Sequence, residues 1–216
     1  MIATNLKKRI YTSIFLFLLI FLMFNFYVIL VYSLIILGVL SILEFSTLMK
    51  IIFKNKFYLF ISNVFIIIYI SLFCLIFFFF SNILEFKAIL ISLLFCCIAS
   101  DLGGFIFGKI FKGPKLTKIS PNKTVSGSFG SIFLACVVMS LLIFYFTKSF
   151  SIMIVVTSAL TSISCQIGDL IFSFFKRKAK VKDTGNFLPG HGGVLDRLDG
   201  IFLGIPFGFI FLTLLY

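Results

Sequence analysis

Between Ile10 and Leu43 the chain carries no charged side chain. A surface helix of a soluble protein keeps one polar face, so a run of this length points to lipid. A membrane-crossing helix needs about 20 apolar residues. The run is too long for one such helix and suits two, joined by a tight turn near Asn25. Further runs lie at residues 57–80, 86–108, 127–147, 150–175 and 199–216. They are continuous rather than alternating, which favours helices over barrel strands. The expected fold is all-α: a polytopic integral membrane protein with about seven transmembrane helices. Composition agrees, because 61% of the 216 residues are hydrophobic, whereas soluble domains hold about 45–50%. No polar stretch is long enough for a separate soluble domain, so residues 1–216 read as a single domain. Lys7-Lys8-Arg9 ahead of an apolar run looks like the start of a signal peptide. The run lacks a small-residue cleavage site and is much longer than a signal core, so a retained transmembrane segment is expected.

The charges give this layout a direction. Of the 19 Lys and Arg residues, all but Lys87 and Lys148 fall on one side if seven spans alternate. Basic loops favour the cytoplasm, which places the N-terminus inside and the C-terminus outside. The formal charge of +12 therefore gathers on one face, where it can meet anionic headgroups or bind phosphates. Nucleic acid is not an expected partner, because the basic loops are short and lie against the membrane. The five cysteines, Cys74, Cys96, Cys97, Cys136 and Cys165, all sit in apolar runs and read as packing residues. One histidine, His191, cannot build a multi-His metal site.

Only seven residues are acidic, and five of them carry the argument: Asp101, Asp169, Asp183, Asp196 and Asp199. Asp101 and Asp169 lie at matched depth near the cytoplasmic ends of spans four and six. A carboxylate inside a span is costly and usually faces a cavity or a partner. Two at one depth suggest a shared polar site, against the plainer alternative of separate pairing with lysines. Gln166, Asp169 and Ser173 share one helix face, as do Asp101, Gly104 and Gly108. Those glycines permit close approach of a ligand or of another helix.

Two polar segments supply anion donors. The loop from Lys109 to Gly130 contains Ser120-Pro121-Asn122-Lys123-Thr124 and then Ser126-Gly127-Ser128, with hydroxyls, lysines and glycine amides suited to anions. Any cytoplasmic loop is polar and basic, so this one is weak by itself. The segment SFFKRKAKVKDTGNFLPGHGGVLDRLD, from Ser173 to Asp199, says more. Its turn Pro189-Gly190-His191-Gly192-Gly193 offers backbone amides beside a histidine. Asp196 and Asp199 face one way at the start of span seven, with Arg197 between them. Acids at a helix start are often only dipole partners, and His191 alone reads first as a loop hydrogen-bonder. Together with many cations, however, the acids suit a divalent metal carrying phosphates, since Mg²⁺ takes carboxylates plus phosphate oxygens.

These residues resemble the signature of the phosphatidate cytidylyltransferase (CDP-diacylglycerol synthase) family. The likeness rests on Ser173, Lys176, Arg177, Lys182, Asp183, Gly185, Pro189, His191, Gly192, Gly193, Asp196, Arg197 and Asp199. Gln166-Ile167-Gly168-Asp169-Leu170 matches what precedes that signature, and the 120–124 loop is similar to the family's second motif. Lys7-Lys8-Arg9 and Leu43-Glu44-Phe45 also look similar, so the likeness spans nearly the whole chain. Ser126 stands where the family usually has an acid, Ser131 stands where it has a glycine, and Leu102-Gly103-Gly104-Phe105 is a looser match.

The resemblance implies transfer of CMP from CTP to phosphatidic acid in phospholipid biosynthesis, giving CDP-diacylglycerol and pyrophosphate. The substrate and catalytic part would cover roughly residues 95–200, around a polar cavity on the cytoplasmic side of the cell (inner) membrane. Mg²⁺ would be held by Asp169 and Asp196 with Asp199 and Asp101 nearby, and a monovalent cation is a candidate second ion. Asp183, Lys182, Arg197 and His191 complete the implied catalytic set. Ser120, Lys123, Thr124, Ser173, Lys176, Arg177, Gly192 and Gly193 would hold phosphates, and a homodimer is expected. Two other readings compete. A polyprenol kinase using CTP shares the mix of acids and bases but is not expected to carry the GHGG-D-R-x-D run. A transporter would use Asp101 and Asp169 but would leave that run without a purpose.

Overall fold

A computed structural model of the chain describes residues 2–188 and 192–215. Seven helices follow one another: α1 (Ile2–Asn25), α2 (Tyr27–Ile52), α3 (Lys56–Ser81), α4 (Leu84–Phe111), α5 (Val125–Thr147), α6 (Ile152–Lys178) and α7 (Leu195–Leu215). Among the described residues there is no strand, only isolated bridges Lys115–Thr124 and Leu188–Gly192. The six helices α2–α7 are long and apolar enough to cross a membrane. The protein is therefore an all-α, multi-pass membrane protein. In α1 the apolar helix is shorter, Tyr11–Asn25.

The expected turn near Asn25 is a break of one residue. Phe26 is extended (φ −123°, ψ 111°) between α1 and α2. Asn25 donates its side-chain Nδ2–H to the Phe21 carbonyl at 2.8 Å.

The chain divides into two compact units. The first holds Met1–Ser81 and Phe175–Leu198. In it α3 turns Ile66, Ile70, Phe73 and Phe77 inward, a spacing of four, three and four that keeps one helix face. Gly38 of α2 lies where a Cβ would come 3.2 Å from Cys74 Sγ and 3.6 Å from Ile70. Small residues allow such approach between helices in lipid, where no hydrophobic gain drives association. Phe57, Phe60 and Phe65 of α3 stay exposed, as the lipid-facing side of such a helix should.

The second unit holds Asn82–Phe174 and Asp199–Tyr216. Helices α4 and α5 meet backbone to backbone. A Cβ on Gly103 would overlap the Gly130 carbonyl, one on Gly130 would overlap Phe107, and one on Gly127 would lie 2.8 Å from the Gly104 carbonyl. Three glycines at spacing four on α7 instead admit side chains of neighbouring helices. Added Cβ atoms would fall 2.6 Å from Cys165 Sγ at Gly200, 2.5 Å from Cys97 Sγ at Gly204, and 2.5 Å from Leu93 at Gly208. Ser100 and Ser162 share a buried hydrogen bond at 2.8 Å, which ties α4 to α6.

Candidate functional site

In the second unit the loop between α4 and α5 folds on its own turn chemistry. Ser120-Pro121-Asn122-Lys123 closes with the Lys123 amide donating to the Ser120 carbonyl at 3.1 Å. Proline at the second position of such a turn is pre-set for it. The Leu116 amide donates to the Lys123 carbonyl at 2.8 Å, and the Val125 amide to the Pro114 carbonyl at 3.0 Å. Thr124 then caps α5, its hydroxyl accepting from the Gly127 amide at 3.1 Å. Ser126, where the resembled motif has an acid, donates to the Lys112 carbonyl.

This loop delivers Lys123 to Asp169. The ammonium lies 2.9 Å from Asp169 Oδ2, with side chains 30% and 17% exposed. The other oxygen, Oδ1, lies 2.8 Å from the Cβ position of Gly200, so glycine there lets the carboxylate rest on the α7 backbone. Next to it, Cys165 Sγ is 4.0 Å from Asp101 Oδ1 and 2.6 Å from that same Gly200 position. Asp101 of α4 and Asp169 of α6 thus flank Cys165, as their matched depth predicts. Asp199 Oδ1 accepts from the Gly200 amide at 3.0 Å, and the Asp199 carbonyl lies 2.6 Å from the Cβ position of Gly168. Gln166 on the same helix accepts from the Ser128 hydroxyl at 2.5 Å. A pair of carboxylates beside a lysine is a donor set that fits Mg²⁺, which takes one or two carboxylates and completes its shell with water and phosphate oxygens. Among the described residues no group of three or more His, Cys, Asp or Glu gathers as an all-protein cage.

In the first unit the end of α6 and the start of α7 meet at Asp196. Oδ1 accepts from Lys176 Nζ at 2.7 Å. Oδ2 accepts from the Thr184 amide at 2.8 Å and from the Gly193 amide at 3.0 Å. Both carboxylate oxygens are therefore committed to the protein's own donors, and the Gly193 amide, one of the expected phosphate donors, is spent on Asp196. Gly192 has φ +85°, and its Cβ position is 3.2 Å from Asp183 Cβ and 3.0 Å from Asp196 Oδ2. Only a glycine fits that conformation without strain. The Leu188 amide donates to the Gly192 carbonyl at 2.9 Å. His191, with Pro189 and Gly190, lies outside the described residues. Arg177, Lys182, Asp183 and Arg197 are exposed, while Ser173 is half-buried.

One acid absent from the expected set emerges here. Glu44 of α2 is buried and accepts from the Val194 amide at 2.9 Å, the Leu195 amide at 2.9 Å and the Thr184 hydroxyl at 2.7 Å. The signal available for it was an acid inside an otherwise apolar helix.

The sequence has relatives among known proteins. The chain is 43% identical over 131 residues to the phosphatidate cytidylyltransferase of Rickettsia typhi, covering 56% of this chain and 58% of that one. It is 41% identical over 121 residues to the protein of that name from Helicobacter pylori, covering 56% and 46%. With the one from Staphylococcus haemolyticus it shares 39% over 109 residues, covering 50% and 42%. The match thus spans about half the length of these curated relatives. The model described as the cytidylyltransferase family matches residues 1–215, which include every residue around the carboxylates described above, and the chain belongs to that family.

Proposed function

We propose that the protein is a phosphatidate cytidylyltransferase: it transfers CMP from CTP to phosphatidic acid, yielding CDP-diacylglycerol and pyrophosphate. The observation that carries the reading is the 173–199 segment, folded on Asp196 and Lys176 with Arg177, Lys182 and Arg197 exposed along it. Support also comes from the family match and from the names borne by the relatives. In this reaction a phosphate oxygen of phosphatidic acid attacks the α-phosphorus of CTP. The bond from that phosphorus to the bridging β-oxygen breaks, and pyrophosphate leaves with the electron pair. The nucleophile is already an anion, so the protein's main task is to bring two anions together. Positioning and charge stabilisation dominate such transfers.

Each cluster has a part in that task. Asp169, with Asp101 and Asp199, would hold Mg²⁺, which when bound neutralises charge on the triphosphate. Lys123, Ser120 and Thr124 would bind phosphate oxygens beside it. In the 173–199 segment Lys176, Arg177, Lys182 and Arg197 would do likewise, with Ser173 and the Gly192 amide as neutral donors. Asp183 would orient Lys182 or the cytidine, and His191 would bind a phosphate or pass a proton. Asp196, which the sequence suggested as a second metal ligand, fits better as the closure of its loop, because both its oxygens already accept from protein donors. A monovalent cation is the proposed second ion.

The catalytic face is proposed to be cytoplasmic, at the cell (inner) membrane, where CTP is available. The lipid substrate would enter from the side, keeping its tails in the bilayer, and the protein would act as a homodimer. The test is a CTP-dependent assay on purified protein with phosphatidate in micelles, with and without Mg²⁺. Mg²⁺-dependent CDP-diacylglycerol is expected. A protein that phosphorylates a polyprenol and forms no CDP-diacylglycerol would overturn the reading.

A further inference from the structure

The 184–195 segment is held from below by an acid that belongs to a distant helix. The Glu44 carboxylate accepts one hydrogen bond from Thr184 at the start of the segment and two from Val194 and Leu195 at its end. Leu195 is the first residue of α7, where amides have no partner within the helix and where negative charge is favoured. Two glycines of the segment, Gly185 and Gly193, lie against the same acid. A Cβ at Gly185 would lie 2.6 Å from Glu44 Oε1, and one at Gly193 would overlap Glu44 Oε2 and Thr184 Oγ1. Neither glycine has the positive φ that Gly192 has, so their small size answers to Glu44 rather than to a turn. Asp196 grips the same two ends through the amides of Thr184 and Gly193. The two ends of the loop are thus fixed by two carboxylates, one of them supplied by α2.

We propose that Glu44 is the positioning residue of this loop: it fixes the Thr184 side chain and the Val194–Leu195 backbone, and through them the exposed Lys182 and the first turn of α7 with Arg197. Its effect on rate rests on the cytidylyl-transfer reading; its effect on the loop does not. Glutamine at this place keeps the volume but offers one acceptor and turns an N–H donor toward the donors of Thr184, Val194 or Leu195.

The test compares the full-length chain with Glu44→Gln in detergent, reading amide hydrogen exchange and CDP-diacylglycerol formation together. Exchange at Val194 and Leu195 is expected to rise about tenfold or more, with folded yield unchanged. At saturating CTP, kcat per folded protein should fall about tenfold or more. Glu85→Gln, at the exposed start of α4, serves as the control and should match the parental chain. If Glu44→Gln does not fold, Thr184→Val removes one of the three bonds at constant volume; it should loosen the start of the loop and lower kcat several-fold. Unchanged exchange in the variant that folds overturns the proposal. So does faster exchange with kcat within about threefold of parental, since that would make the contact structural only. A parental chain that forms no CDP-diacylglycerol defeats the functional reading instead, and the exchange measurement still decides whether Glu44 holds the loop.

Discussion

Lys176 and Asp196 meet at 2.7 Å with side chains only 13% and 5% exposed, and the same carboxylate holds the amides of Thr184 and Gly193. Removing one member of such a pair leaves its partner's charge buried and uncompensated, at a cost of about 3–5 kcal/mol. Asp196→Ala should therefore lower the thermal midpoint in detergent measurably and reduce CDP-diacylglycerol formation at least about a hundredfold. Paired with Lys176→Met in a double-mutant cycle, it should show a coupling of about 1–3 kcal/mol. Strict additivity of the two changes would show that the contact does not operate in the folded protein.

The opposite balance holds for Lys123 and Asp169, which are more open to solvent. A pair of that kind contributes about 0–1 kcal/mol to stability. Lys123→Ala should leave the thermal midpoint almost unchanged yet lower kcat/KM for CTP about tenfold or more. Asp169→Asn should raise the Mg²⁺ concentration needed for half-maximal activity by about tenfold or more. Superimposable Mg²⁺ titrations of parental and Asp169→Asn protein would remove Asp169 from the proposed metal site.

What the sequence made legible was local. Apolar runs located all seven helices, and the excess length of the first run placed the break near Asn25. Matched depth in two spans foretold that Asp101 and Asp169 would flank one point. Pairing across the chain was not legible. Lys123 reaches Asp169 across 46 positions, and Thr184 reaches Glu44 across 140, so no periodicity links them. Asp196 shows the same limit: acids among many cations suggested a ligand, whereas the partners of its two oxygens come from the end of α6 and from both ends of a loop. Gly200, Gly204 and Gly208 carried a readable stripe of small residues, but what each one approaches depends on tertiary packing.

The glycine contact between α4 and α5 gives a prediction about stability alone. A Cβ on Gly130 would overlap the Phe107 side chain, whereas one on Gly38 would meet only Cys74 Sγ at 3.2 Å and Ile70 at 3.6 Å. Overpacking of a tight interior costs about 1–3 kcal/mol. Gly130→Ala should lower the thermal midpoint clearly in a size-exclusion stability assay, and Gly38→Ala should lower it less. Equal loss in the two variants would mean that the backbone-to-backbone contact is looser than these distances describe.

The orientation expected from charge has a direct readout. The residues between α2 and α3 include Lys54, and those between α4 and α5 include Lys112, Lys115, Lys118 and Lys123, whereas Lys148 follows α5. If the long helices α2–α7 alternate direction across the bilayer, as the sequence predicts, Lys54 and Lys148 should lie on opposite faces, with the Lys54 face cytoplasmic by the bias of basic residues. Introducing Lys54→Cys and Lys148→Cys separately, and labelling intact cells with a membrane-impermeant maleimide, should mark only the second above the parental signal. Lysed cells should mark both. The five native cysteines are compatible with this experiment, since Cys96, Cys97 and Cys165 are buried and Cys74 and Cys136 are half-buried within helices. Labelling of Lys54→Cys in intact cells would reverse the orientation and move the proposed CTP-binding loops away from the nucleotide pool on which the cytidylyl-transfer reading depends.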